Sequence, residues 1–530
     1  EKKIFTVQGP YPIIRSLMRA RGWVERKFSS VGKVTGRREQ HRGSQEPAQE
    51  KEGDGAGAER GEASRLVKDQ VPYFIWTNRC NAVDCRLLQQ DQLMNHYARV
   101  GSFTTKEGLC QNLRNVSWLD QADPDTFFPR CYRLRAAEER QAFIEDFRLT
   151  AARSLLRVAV ERSGDVLASM EEPPKPSEGP RLLWFQCHHI HPMLSSAGSG
   201  LPLPPHLVEE ALQVCGQHLD SLGHHDIDGD PSSPHTVGIN WDRFLQDYYR
   251  VVHEGAGLEL SRAQREQGRI LLQLLARQLP QQAMEGDHNV WILKPGAKSR
   301  GRGIVCTARL EEVLRLAGVC TAPSARVGEW VVQKYVERPL LIFGTKFDIR
   351  QWFLVTDWNP LTVWFYRESY LRFCSQPFSL HHLDPARHLC NVSIQKRYRM
   401  AQGRHPQLPA EQTWCCWQLQ TYLARVGRRD AWHQVMVPGM KAALVTALRS
   451  AQDLVENRKG SFELYGADFI FGEDCQPWLL EINVSPTMAP SSAVTRRLCA
   501  NVQRDILRVV IDHRNNPASP TGAFELIYKE

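Results

Sequence analysis

The chain has 530 residues, of which 42% are hydrophobic and 9% aromatic, and a formal charge of +8. That length supports two or three domains with sizeable cores, and no apolar run approaches the roughly 18 residues that span a bilayer. The modest positive charge permits an acidic substrate, while no nucleic-acid-binding module is recognisable, so neither a membrane nor a nucleic acid is an expected partner.

Residue 1 is not Met, and the numbered chain is expected to be trimmed. Ile4–Val7 reads as a strand, followed by a glycine turn and a basic helix from PIIRSLMRARGWVERK. Residues 29–68 have almost no large apolar side chains; such a segment cannot offset its ordering entropy and is expected to be a disordered insert. A strand is expected at 72–76, then helix and loop over 95–115 with Lys106 exposed. An amphipathic helix is expected over 138–161, a Pro/Ser/Gly-rich second insert over 165–205, and helices near 206–222, 241–253 and 261–279. Strands follow at 288–294, 303–307, 330–337, 346–357 and 361–367, with a helix at 309–317. Helices at 412–426 and 438–457 lead to a hairpin within 462–488, and a helix at 493–512 closes the chain. No internal repeat is visible. This order predicts a mixed α/β protein in three parts. They are an N-terminal α/β domain (1–100), a central domain (101–335) with a helical insert near 130–285 and a phosphate loop at 294–303, and a C-terminal domain (336–530).

Fourteen cysteines without a CxxC pair read as reduced, cytosolic thiols rather than a disulfide framework or zinc site. His188, His189, His191, His224 and His225 lie in loop-like text and are not expected to hold a metal. The sequons at Asn115, Asn391 and Asn483 carry no weight in a reducing compartment.

Four stretches carry chemistry. Lys294, Lys298, Arg300, Gly301 and Gly303 form a basic glycine-rich loop between strands; glycines admit close backbone approach to an anion and the cations supply charge. It is not a Walker A loop, since no GxxxxGK[ST] precedes a helix. Gln333, Lys334, Tyr335 and Val336 end a strand, where a hydrophobic slot and backbone groups can frame an adenine ring. On the next strand Lys346, Asp348 and Arg350 alternate and so face one side, with Arg372 a short strand away and Asn391 beyond. In the hairpin, Glu481 and Asn483 are two apart and share a face, opposite Asp468. Two carboxylates and an amide oxygen suit Mg²⁺, and a structural ion pair with nearby lysines or arginines is the other reading; the hairpin alone leaves both open. Together the clusters balance as a Mg²⁺ end and a phosphate end of one nucleotide site.

The pieces KPGAKSRGRGI, QKYVERPLLIFGTKFDIR, YRESYLRF, HLCNVSIQK, and GADF with LLEINVSPTM, in this order, resemble the tubulin–tyrosine ligase-like family, which has an ATP-grasp fold. The resemblance implies that Lys106 and Lys294 reach the ATP phosphates and that Gln333–Val336 frame the adenine. It implies that Lys346 contacts nucleotide, and Asp348 the ribose or the substrate side. Asp468, Glu481 and Asn483 would hold Mg²⁺, and Arg350 and Arg372 would bind the acidic acceptor or an acyl-phosphate intermediate. The wording around DWNPLTVWFYRESYLRF and the opening KIFTVQGPYPIIRSLMRARGW resemble the initiating tubulin-monoglycylating branch. That implies an ATP-dependent, monomeric ligase joining glycine to glutamate γ-carboxylates in acidic tubulin tails, working in the cytoplasm, on the cytoskeleton and in cilia, axonemes and flagella. A glutamate-adding tubulin ligase and a catalytically silent microtubule-binding relative are the alternatives.

Overall fold

The computed structural model describes residues 3–27, 64, 67–80, 82–114, 123–168, 206–223, 238–258, 260–296, 301–319 and 330–530. The 29–68 and 165–205 inserts fall almost wholly outside these residues, as do all five loop histidines named above, Asn115, Lys298 and Arg300.

Three sheets follow one another along the chain. The first is parallel and joins β1 (Ile4–Val7), β2 (Val24–Glu25), β3 (Phe74–Trp76) and β4 (Leu93–Met94) in the order β2-β1-β3-β4. The second is antiparallel, β5 (Cys131–Arg133), β8 (Trp330–Lys334), β6 (Trp291–Pro295) and β7 (Val305–Thr307) in that spatial order. The third centres on β9 (Phe347–Trp358), with β10 (Leu361–Tyr366), β11 (Tyr370–Phe373), β12 (Thr413–Cys415), β13 (Glu463–Phe471), β14 (Pro477–Val484) and β15 (Phe524–Lys529) around it.

Nine of the twelve residues of β9 form a continuous buried run, because the strand has neighbours on both edges and cover on both faces. On one face Ile349, Phe353 and Val355 join a core with the helix Val437–Arg449. On the other, Trp352 and Leu354 pack with Phe5, Phe74 and the helix Ala493–Leu507. The first sheet is further tied to β13 by buried Glu463, which meets His96 Nδ1 at 2.8 Å and accepts from the Tyr97 amide at 3.1 Å and the Tyr465 hydroxyl at 2.8 Å.

Several expectations are corrected. The helix expected at 138–161 runs from Ala137 to Ala168. Thr413–Cys415 is strand rather than the start of a helix, since it pairs with β11 at the sheet edge. The helix expected over 438–457 ends at Arg449, and the chain turns at Gln452–Leu454. The chain closes on β15, not on the preceding helix, because FELIYK completes the β10 edge. Cys110 and Cys131 are disulfide-bonded, against the expectation of reduced thiols throughout. Their segments, the helix Lys106–Arg114 and β5, face each other with Cα atoms 6.1 Å apart, a proximity that spacing along the chain does not disclose.

The second sheet is covered by Ala137–Ala168, His206–Gly223, Trp241–Val252 and Arg262–Gln278. Beneath this cover lies a buried polar network. Arg130 meets Asp146 and, at 2.7 Å, Glu285, while Arg153 reaches Glu285 at 3.2 Å. Burial alone would raise the Glu285 carboxyl, but Arg153 and Arg130 hold it well below the usual carboxylate range. Its contribution to stability is therefore complete at neutral pH and fades as the pH falls below the ordinary carboxylate range. Removing the charge strands the buried Arg153 guanidinium, while Arg130 keeps Asp146: Glu285→Gln is expected to cost about 3 kcal/mol at pH 7. In urea unfolding, the gap from the unaltered protein should narrow as the pH drops below about 4.

Candidate functional site

The charged residues of the third sheet stand in rows across its strands. Register places Arg350 of β9 opposite Asp468 of β13, and Asp468 opposite Glu481 of β14. One step along, Asp348 lies opposite Arg372 of β11. The side chains pair accordingly. Arg350 donates to both Asp468 oxygens, at 2.5 and 3.1 Å, and Arg372 donates to both Asp348 oxygens, at 2.7 and 2.6 Å. Arg372 also stands 3.1 Å from Asp468. Burial would raise the Asp468 carboxyl, but the guanidinium groups of Arg350 and Arg372 hold it well below the usual carboxylate range. Gly466 makes room for this arrangement: a Cβ there would lie 2.9 Å from Arg350 Cδ.

A cleft partly open to solvent lies between the second and third sheets. Ile292, Ile304, Val336, Leu389, Ile470 and Leu480 give it apolar walls. Lys294, Lys346, Asp348, Asp468 and Glu481 give it a charged lining.

Its lysines are held in an unusual way. Lys294 Nζ donates to Gln333 Oε1 at 2.6 Å and to the Leu480 carbonyl at 3.2 Å. That carbonyl is available because the β13–β14 register slips between Asp468 and Phe469, leaving Leu480 as an extra residue in a bulge. Lys346 Nζ donates to the Tyr335 hydroxyl at 2.6 Å and the His388 carbonyl at 2.8 Å. Both ammonium groups are thus solvated by neutral acceptors and keep their charge uncancelled, which is what an anion site requires. Burial pushes Lys294 down to about 8, partly offset by Glu481 and reinforced by Lys106 and Lys346.

Lys106, expected exposed, is instead tucked against the cleft, its side chain 15% exposed and its Nζ 3.5 Å from Glu481. The opposed carboxylates Asp468 and Glu481 call for a cation between or beside them, since like charges across a strand pair repel. Asn483 lies within 3.3 Å of both. Glu481 remains 23% exposed toward the cleft. Two carboxylates beside an amide fit Mg²⁺, which takes one or two protein carboxylates and completes its shell with phosphate and water. Turned over, the Asn483 amide presents Oδ1 to the same place. Among the described residues no group of three or more His, Cys, Asp or Glu could hold a metal alone. The donor set therefore suits a cation that arrives with a polyphosphate.

Gly301, Gln333, Lys334, Tyr335, Val336 and Asn391 also line the cleft, whereas Arg350, Arg372 and Asn483 stand just behind it and Gly303 lies on the exposed loop. Gly301, at φ 73°, packs so closely on the segment after Asn391 that a Cβ would lie 2.3 Å from Ile394 Cδ1. Gln333 spends its amide on the Pro129 carbonyl and Lys294. Lys334 is fully buried, its ammonium paired to Glu337 at 2.5 Å. Sequence reasoning missed Leu480 and the anchoring part of His388; the HLCN motif pointed to the latter's neighbourhood without its role.

Residues 238–517 match the Tubulin-tyrosine ligase family. Over its whole length the chain is 50% identical to tubulin monoglycylase TTLL3 of Mus musculus across 560 aligned residues, covering 59% of that protein. It is also 50% identical to tubulin monoglycylase TTLL3 of Danio rerio, covering 69% of it, and 44% identical to protein monoglycylase TTLL8 of Mus musculus, covering 64%. The chain thus spans between 59% and 69% of the length of these curated relatives.

Because the ammonium form of Lys294 is the one that attracts phosphate, triphosphate affinity is expected to weaken as the pH rises through about 8, by up to tenfold per unit while the bound amine stays protonated. Titration of ATP between pH 7 and 9.5 checks this: Lys294→Met should bind more weakly at pH 7 and lose the dependence. Parallel profiles in the two proteins would put the titrating group elsewhere.

Proposed function

The chain belongs to the tubulin-tyrosine ligase family, and from that premise we propose that it is an ATP-dependent, Mg²⁺-requiring carboxylate–amine ligase that joins glycine to glutamate γ-carboxylates in the acidic C-terminal tails of tubulin. The mixed helix-and-sheet fold fits an ATP-grasp architecture. The observation that carries the reading is one cleft in which two lysines held by neutral acceptors face an opposed carboxylate pair, beside apolar walls. The relatives, tubulin monoglycylases, support glycine as the amine and tubulin as the acceptor.

A carboxylate is a poor electrophile, so ATP must first convert it to an acyl-phosphate with release of ADP; the glycine amine then attacks the acyl carbon and expels phosphate. Lys294 and Lys346 lower the repulsion between the triphosphate and the incoming acceptor carboxylate, a repulsion that weak screening in a partly buried cleft would otherwise make large. Glu481 and Asn483, with Asp468 beside them, would hold Mg²⁺, which when bound neutralises phosphate oxygens during transfer. Asp468 and Asp348 fix Arg350 and Arg372 in two-point geometry. Those guanidinium groups in turn hold the two carboxylates in place at the back of the cleft. We propose that a protein with a tubulin substrate works in the cytoplasm and on microtubules, including those of cilia and flagella.

Purified chain incubated with tubulin, ATP, Mg²⁺ and labelled glycine should yield glycylated tail peptides by mass spectrometry; label from glutamate but not glycine would overturn the choice of amine. Glu481→Gln should lower turnover by at least about 10²-fold with an unchanged melting temperature, whereas a loss of folding would make Glu481 a structural ion-pair partner.

A further inference from the structure

Lys346 enters the cleft on a chain of hydrogen bonds that ends at His388, a residue with no part in the chemistry so far. The Lys346 ammonium has three protons. One goes to the Tyr335 hydroxyl at 2.6 Å and one to the His388 carbonyl at 2.8 Å, which leaves the third for the cleft. Since the Tyr335 oxygen accepts from Lys346, its own proton must point away, and His388 Nδ1 lies 2.7 Å from it. That contact needs a lone pair on Nδ1. The other ring nitrogen provides for it: Nε2 faces the carbonyl oxygens of Ser379 and His382 at 3.0 and 2.8 Å, so Nε2 carries the hydrogen. Burial and the nearby Lys346 push His388 down to about 4, which keeps the ring neutral and Nδ1 free to accept. Tyr335, Lys346 and His388 are all buried, and the Lys346 Nζ also lies 4.2 Å from the Tyr335 ring centroid.

We propose that His388 is a positioning residue for nucleotide binding: anchored at Nε2, it turns the Tyr335 hydroxyl so that its lone pair faces Lys346, and so aims the ammonium at the phosphate. This rests on the reading of the cleft as the ATP site. Without the imidazole acceptor, the hydroxyl proton has no partner on that side. The hydroxyl then rotates, and Lys346 loses the acceptor that fixes its direction. His388 therefore acts through Tyr335, which makes the two substitutions redundant rather than additive.

The test is the ATP dissociation constant and melting temperature of the whole chain and its Lys346→Met, Tyr335→Phe, His388→Leu, His388→Gln and Tyr335→Phe/His388→Leu variants. Tyr335→Phe, which keeps the ring that lines the cleft, is expected to weaken ATP about tenfold, the loss of one charge-assisted hydrogen bond. His388→Leu should do the same, and the double variant should remain near tenfold. His388→Gln, which offers an oxygen acceptor and an N–H donor on one side chain, should restore most of the affinity. A hundredfold loss in the double variant, or wild-type affinity in Tyr335→Phe, overturns the proposal. Tyr335→Phe is close to isosteric, so it decides the matter even where His388→Leu does not fold. If Lys346→Met binds ATP as well as the unaltered chain does, the reading of the cleft fails instead.

Discussion

The third sheet depends on keeping a row of charges inside an apolar interior. Arg350, Asp468, Arg372 and Asp348 are all buried on strands whose buried neighbours are mostly apolar, Ile349, Trp352, Phe353 and Leu464 among them. An isolated ion there would cost several kcal/mol even after relaxation. The strands meet that demand by register: each guanidinium is set opposite or diagonal to a carboxylate and bonds it at two points. A one-residue slip of β13 against β9 would turn Asp468 away from Arg350 and strand both. The site's accuracy and the sheet's register are therefore one property.

Charge compensation also sorts the cations by what they are free to do. Arg350, Arg372 and Lys334 are matched to Asp468, Asp348 and Glu337, so they organise structure and carry little net field into the cleft. Lys294 and Lys346 rest on an amide oxygen, two carbonyls and a phenol, all neutral. Their charge is uncancelled and directed, and it lies beside apolar walls where electrostatic attraction is little screened. Glu481 is the carboxylate counterpart: opposite Asp468, partly exposed, and near Lys106 at a distance too long for a tight pair. A cation bound to a polyphosphate would complete the balance on both sides.

Much of this was legible in the sequence because strands write their faces into alternate positions. Lys346, Asp348 and Arg350 announce a charged face within KFDIRQWFLV, and Glu481 and Asn483 do so within LLEINV. The long helices were equally plain from their periodicity, and Ile4–Val7 is a strand with the expected bounds. What stayed hidden depends on contacts between distant segments. The bulge that exposes the Leu480 carbonyl is a property of pairing, not of Leu480. Lys334 and Glu337 look like ordinary surface charges until the strand end buries both. The edge strands Thr413–Cys415 and Phe524–Lys529 are short and acquire their form from β11 and β10. The Cys110–Cys131 pair and the Arg130–Glu285 network likewise join elements far apart in the chain.

The central claim is that the uncompensated lysines and the opposed carboxylates form one nucleotide site. A crystal structure of the chain with Mg²⁺ and a non-hydrolysable ATP analogue tests it most directly. The account predicts phosphate oxygens within hydrogen-bond distance of Lys294 and Lys346, Mg²⁺ ligated by Glu481, and Arg350 still paired with Asp468. Phosphates bound to Arg350 and Arg372 with Lys294 and Lys346 untouched, or a nucleotide outside the cleft, would contradict it.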